Sequence, residues 1–183
     1  TPCFTVDNVP PAFSEGALSV TPHSSAGDYA FTTNLLSLAW PPASDNPSSN
    51  LTYRLTDTAP ALPAFTATHF TALTTATLAL SNSLDTAHAF RVTAFDPAGN
   101  ASETLALSLP VLNALGDFDG DGLSAFDEEV AGTSATDPAD RFTVSFAPAP
   151  GKPGLLSVTW RSAEGRLYTV EETPSLQPPA WRP

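Results

Sequence analysis

Phe90-Arg91-Val92-Thr93-Ala94-Phe95-Asp96-Pro97-Ala98-Gly99-Asn100 is the stretch from which the fold is read. Phe90, Val92 and Ala94 recur with a period of two, which places them on one face of a β-strand. The Asp-Pro-Ala-Gly-Asn run that follows is dense in turn formers and closes the strand in a tight reversal. Leu36-Ser37-Leu38-Ala39-Trp40 alternates in the same way, with Leu36, Leu38 and Trp40 inward. Around these two anchors the pattern predicts strands at Ala17–Val20, Leu35–Trp40, Leu51–Leu55, Phe65–Thr68, Thr77–Leu80, Phe90–Ala94 and Thr104–Leu109. Seven short strands separated by turn residues predict a mainly β fold, an antiparallel β-sandwich over residues 11–110. Only the stretch from Thr56 to Thr75 is loosely patterned.

The order of these motifs resembles the fibronectin type III family. Leu38-Ala39-Trp40-Pro41-Pro42-Ala43-Ser44-Asp45-Asn46 is similar to that family's second strand and the turn after it. His88-Ala89-Phe90 through Asn100 is similar to its sixth strand and hairpin, except that His88 stands where the family usually has a core tyrosine. The resemblance implies a spacer or binding module without chemistry of its own. Val6-Asp7-Asn8-Val9-Pro10-Pro11, ahead of it, reads as a linker: a polar turn, then a proline pair that forces extended backbone.

The chemistry-bearing stretch is Asp117-Phe118-Asp119-Gly120-Asp121-Gly122-Leu123-Ser124-Ala125-Phe126-Asp127-Glu128. Three aspartates at alternate positions, a glycine at the sixth and a glutamate at the twelfth suit a loop curled around a hard cation. Ca²⁺ takes six to eight oxygen ligands. The expected ligands are Asp117, Asp119, Asp121, the Leu123 carbonyl and Glu128, with water at the ninth position. Counting Glu129, six carboxylates from Asp117 onward with no Lys or Arg among them repel one another unless a cation is present. A short helix from Ala125 to Ala131 is expected to lock Glu128 in place. Ser124 is its cap, with Asp127 completing a capping-box-like pair. Phe126 and Val130 share a face, and Gly132 is the stop. Asp137 and Asp140 either add a ligand or end a turn. The run Asp-Gly-Asp-Gly-Leu-Ser, with the Glu128-Glu129 pair and the Ala-Gly-Thr and Thr-Asp-Pro after it, resembles the thrombospondin type 3-like repeats of secreted bacterial proteins. Residues 111–140 are thus expected to form a calcium-binding connector.

Beyond Arg141, strands are predicted at Arg141–Ala147, Leu155–Arg161 and Leu167–Glu171, with a turn at Glu164-Gly165-Arg166. The phrase from Val158 to Glu171 is similar to small β-modules that follow such repeats in secreted proteins. Residues 141–183 fall short of such a module's usual length, so this piece is expected to be truncated or to pack on the first module.

Composition narrows the function. Seven basic residues against nineteen acidic ones give a net charge of −12, which disfavours nucleic acid and anionic membrane as partners. No apolar run is long enough to span a membrane. Cys3 is the single cysteine, so no internal disulfide is possible. The start at Thr1 reads as a mature segment or a piece of a longer chain. His23, His69 and His88 show no metal spacing, and no Gly-x-Ser-x-Gly elbow, phosphate loop or zinc pattern occurs. Trp40 and Trp160 read as core, while Trp181 and Tyr53 are the candidates for exposed rings that stack on sugars. The expectation is a non-catalytic, calcium-stapled accessory segment of a secreted or cell-surface protein, with other domains of a larger chain as its partners. The alternatives are a carbohydrate-binding module that takes polysaccharide or a surface glycan, and an adhesin segment.

Overall fold

The computed structural model describes residues 7–46, 50–57, 73–80, 83–175, 177, 179, 181 and 182. Within them the chain is mainly β with one helix. In chain order the strands are β1 (Ala12–Phe13), β2 (Ser19–Thr21), β3 (Ala30–Thr32), β4 (Leu35–Ala39), β5 (Ala43–Ser44), β6 (Thr52–Asp57), β7 (Thr75–Ala79), β8 (Thr86–Phe95) and β9 (Leu105–Asn113). Helix α1 (Ala125–Ala131) follows, then β10 (Val144–Pro148) and β11 (Leu156–Trp160). The predicted strand Phe65–Thr68, His69 and Cys3 lie outside the described residues.

A three-stranded sheet, β2-β4-β7, faces a four-stranded one, β3-β9-β8-β6. The alternation read from the sequence holds on both. Leu36, Leu38 and Trp40 meet Tyr53, Leu55, Phe90, Val92, Ala94, Leu109 and Val111 in one buried cluster. Side chains of this size each contribute roughly 1.5–3 kcal/mol when fully buried. β1 and β5 form a two-residue clip at one end.

The structure departs from the predicted strands in four places. The pairing is not wholly antiparallel, because β3 runs parallel to β9, with Ala30 opposite Val111 and Thr32 opposite Asn113. The short strands β1, β3 and β5 carry too few residues to show a period. β9 does not stop at Leu109 but runs through Pro110 to Asn113. Pro110 lies just before the point where β3 joins, where one side of β9 is still an edge and tolerates a residue without an N–H. The fourth departure is at the C-terminal end. β10 and β11 pair over five residues, but Leu167–Glu171 forms no third strand. Two strands cannot enclose a core. Phe146, Leu156 and Val158 are consequently exposed, and Trp160 is half-buried rather than core. Tyr53, by contrast, is buried and accepts the Ala43 amide on its hydroxyl at 2.9 Å.

His88 takes a polar place in the first core. Its ring is fully buried and stacks on Phe90 with centroids 5.3 Å apart. Nδ1 lies 2.5 Å from Asp57 Oδ2, and Nε2 lies 2.7 Å from the Ser83 carbonyl oxygen. Both nitrogens face acceptors, an arrangement that favours the doubly protonated, cationic ring. Burial alone would lower its pKa. The hydrogen bonds to Asp57 and Ser83 and the charge of Asp57 outweigh burial and raise it.

Candidate metal centre

The acidic loop hangs from the end of β9. Gly116 donates to the Asn113 carbonyl at 2.9 Å, and Ala125 and Phe126 donate back to the Gly116 and Ala114 carbonyls at 2.9 and 3.0 Å. These bonds fasten the first turn of α1 to the exit of the strand. A second buried cluster, Tyr29, Phe31, Leu112, Ala114, Ala125 and Ala135, packs β3 and β9 against the helix and the turn beyond it. The loop is therefore part of the folded body.

The helix forms where the sequence places it. Ser124 is extended (φ −77°, ψ 157°), accepts the Asp127 amide at 3.1 Å and donates its hydroxyl to Asp127 Oδ2 at 2.6 Å. Gly132 closes the helix in the left-handed region at φ 76° and donates to the Glu128 carbonyl at 2.7 Å. Gly122, at φ 103°, makes the sharp turn inside the loop. Phe126 and Val130 share an exposed face, whereas Ala125 and Glu128 point inward.

The carboxylates divide their work. Asp117 spends both oxygens on loop amides, accepting from Gly120 at 2.8 Å, Asp121 at 3.1 Å and Gly122 at 2.9 Å. Asp119 Oδ1 accepts the Asp121 amide at 3.2 Å, and Asp121 Oδ1 accepts the Leu123 amide at 2.9 Å. Asp119 Oδ2, Asp121 Oδ2 and both oxygens of Glu128 are left buried without a hydrogen-bond partner. Ligand oxygens of Asp117, Asp119 and Asp121 lie within 4.8 Å of one another. Oxygens that close can share one coordination sphere, in which metal–oxygen distances for Ca²⁺ are about 2.4 Å.

Glu128 is fully buried on α1 and close enough to feel all three aspartates. Burial, then the charges of Asp119, Asp121 and Asp117, push its pKa up to about 7. Burial and the charges of Asp121 and Asp117 likewise raise Asp119. The Thr133 hydroxyl nearby lowers the Glu128 pKa without forming a hydrogen bond to it and does not offset burial and three like charges, so the carboxylate is unfavourably placed by itself. The donor set is all oxygen, which suits a hard cation. Of the five expected ligand residues, Asp117, Asp119 and Asp121 share this cluster. Glu128 stands on α1 within reach of their charges but outside that group of oxygens, and Leu123 follows Asp121 in the loop. Asp137 and Asp140 end a turn instead. Asp137 Oδ1 accepts the Ala139 amide at 3.0 Å, and Asp140 pairs with Arg161.

The sequence singled out a single acidic cluster. The fold makes another from Asp7, Asp45 and Asp96, which are remote in the chain and adjacent in space. Asp7 and Asp96 each stand in a turn motif that was already legible, but nothing in the sequence joins them.

The C-terminal hairpin is also held to the connector. The Tyr168 hydroxyl donates to the Ala131 carbonyl at 3.0 Å and accepts the Ala163 amide at 2.9 Å. Arg166 forms an ion pair with Glu129. No family model and no curated protein matches the chain.

Proposed function

We propose that the chain is a non-catalytic accessory segment of a secreted or cell-surface multidomain protein. In it, a fibronectin type III-like β-sandwich and a small β-module are joined by a Ca²⁺-ordered connector. The ligands in this reading are Asp117, Asp119, Asp121, the Leu123 carbonyl and Glu128. The observation that carries it is the set of buried, unpartnered oxygens on Asp119, Asp121 and Glu128. A cation supplies the charge they lack and turns mutual repulsion into ligation. Because Glu128 stands on α1 and the aspartates on the loop, the ion ties the helix to the end of β9. The helix in turn touches both β-modules, so one ion sets the joint.

A calorimetric titration of Ca²⁺ into chelator-treated protein tests this. Binding with a dissociation constant of about 10⁻⁵ to 10⁻³ M, lost in Glu128→Gln and not reproduced by Mg²⁺ at equal concentration, supports the reading. No binding heat and no difference between wild type and Glu128→Gln refutes it.

A second reading, a glycan-binding module, draws on one feature. The C-terminal hairpin leaves an open groove whose lining includes Phe142, Phe146, Trp160, Tyr168, Glu171 and Glu172. Aromatic faces flanked by carboxylates suit sugar rings and their hydroxyls. Retention of the intact chain on a neutral polysaccharide, lost in Trp160→Ala, would favour it over a purely mechanical role.

A further inference from the structure

The second acidic cluster lies at the opposite end of the first module. β8 and β9 are antiparallel, with Thr86 opposite Val111. Asp96 follows the last residue of β8, so it sits about 30 Å from the Asp117 loop, the length of the nine residues of β9. Three separate segments meet there. Asp7 precedes β1, Asp45 follows β5, and Asp96 opens the hairpin turn after β8.

Ligand oxygens of Asp7, Asp45 and Asp96 lie within 4.8 Å of one another. Two of the three carboxylates have partners. Asp96 is buried and accepts the Asn100 amide at 2.9 Å and Asn100 Nδ2 at 2.7 Å. Asp7 Oδ1 accepts the Val9 amide at 3.1 Å. Among the described residues Asp45 has none: the residue as a whole is part-buried, but both of its carboxylate oxygens are buried and make no hydrogen bond, and one of them lies in the cluster. Among the described residues no Lys, Arg or His forms an ion pair with any of the three. Arg54, on the adjacent strand β6, lies over the Phe95 ring at 4.9 Å.

Buried carboxylate oxygens that face two other carboxylates and have no donor favour a cation between them. A set of three carboxylates with oxygens close enough to share one ion is a hard-donor set, which suits a divalent cation such as Ca²⁺. Asn100 holds the surroundings in shape, since its Nδ2 also reaches the Asp7 carbonyl at 3.2 Å and the Val9 carbonyl at 3.4 Å. We infer that Asp7, Asp45 and Asp96 form a second Ca²⁺ site, which ties the strand-leading segment at Asp7 to the pole of the module opposite the connector. This site does not depend on the Asp117 loop.

The test is ion stoichiometry on the full chain, by equilibrium dialysis in Ca²⁺ and elemental analysis. The Glu128→Gln variant, which disables the loop, should retain one ion per chain. Adding Asp45→Asn should remove it, and wild type should hold one ion more than Glu128→Gln. Asp7→Asn keeps an acceptor for the Val9 amide and serves as the second variant should Asp45→Asn fold poorly; it should weaken the same ion at least about tenfold, as loss of one ligand charge does. If Glu128→Gln holds no ion, or if its ion survives both aspartate substitutions unchanged, the second site does not exist. A loop that fails to bind while the Asp45-dependent ion persists would overturn the connector reading and leave this one standing.

Discussion

The backbone amide of Ser25 donates to Glu129 Oε2 at 3.0 Å, across 104 residues of sequence. The other oxygen of Glu129 accepts from Arg166, and Arg166 also reaches the Ser25 hydroxyl at 3.2 Å. One carboxylate on α1 thereby joins the loop before β3, the connector and the C-terminal hairpin. Glu129 and Arg166 are only partly exposed, so their bonds are stronger than those of a solvated surface pair. Glu129→Ala should cost about 1.5–3 kcal/mol in urea denaturation, the range for hydrogen bonds to a charged group. It should also speed proteolysis between the helix and the hairpin. A cost near zero would make the clasp incidental.

Gly132 lies against Ala163 as closely as backbone allows. A Cβ built on it would stand 2.3 Å from the Ala163 Cβ, and its φ of 76° is a left-handed value that side chains resist. Gly132→Ala should therefore combine helix-cap strain of about 1 kcal/mol with displacement of the 163–166 turn. Loss of stability together with loss of chemical-shift change at Tyr168 on Ca²⁺ addition would bear this out. Full stability in Gly132→Ala would show that the turn does not pack there.

The His88–Asp57 pair sets a pH dependence whose sign follows from its geometry. The folded-state pKa of His88 is raised above its ordinary 6.5, so the pair's stabilisation is complete below 6.5 and fades as pH rises through the raised value. Unfolding followed by urea from pH 6 to pH 9 should show stability falling with pH. His88→Gln should flatten that slope. Asp57→Ala should cost about 3–5 kcal/mol, since it leaves a buried ring without its counter-charge. A rise in stability with pH over this range, absent in His88→Gln, would reverse the assignment.

The cap of α1 offers a milder test. Ser124→Ala removes the acceptor for the Asp127 amide and should cost about 1 kcal/mol. Because the cap fixes the turn that presents Glu128, it should also weaken Ca²⁺ binding severalfold. An unchanged affinity would mean that the Ala125 and Phe126 bonds to the end of β9 position the helix alone.

How far the sequence could be read depends on whether the signal was local. The alternation in β4 and β8, the capping pair Ser124–Asp127 and the stop at Gly132 are written within a few residues of one another, and the structure has each of them. His88 was legible as an odd residue in a core position. Its partner Asp57 was not, because the two meet only through the β6–β8 register that sets Asp57 opposite Phe90. The parallel β3–β9 pairing and the meeting of Asp7, Asp45 and Asp96 have the same cause: they are products of tertiary closure between short segments. Trp160 went astray for a different reason. Its period-two neighbours promise a buried face, but a face is buried only when a second layer covers it, and the strand expected at Leu167–Glu171 does not form.

The most direct test of the ion-set joint is a thermal melt of wild type and Glu128→Gln, each in chelator, in millimolar Ca²⁺ and in millimolar Mg²⁺. At a hundredfold excess over the dissociation constant, one site adds about 2.7 kcal/mol to the folded state. The account predicts a rise of several degrees in Tm for wild type in Ca²⁺, little in Mg²⁺, and a clearly smaller Ca²⁺ rise in Glu128→Gln. Equal responses of wild type and Glu128→Gln would contradict it, and residues 117–128 would then be an acidic turn whose fold needs no cation.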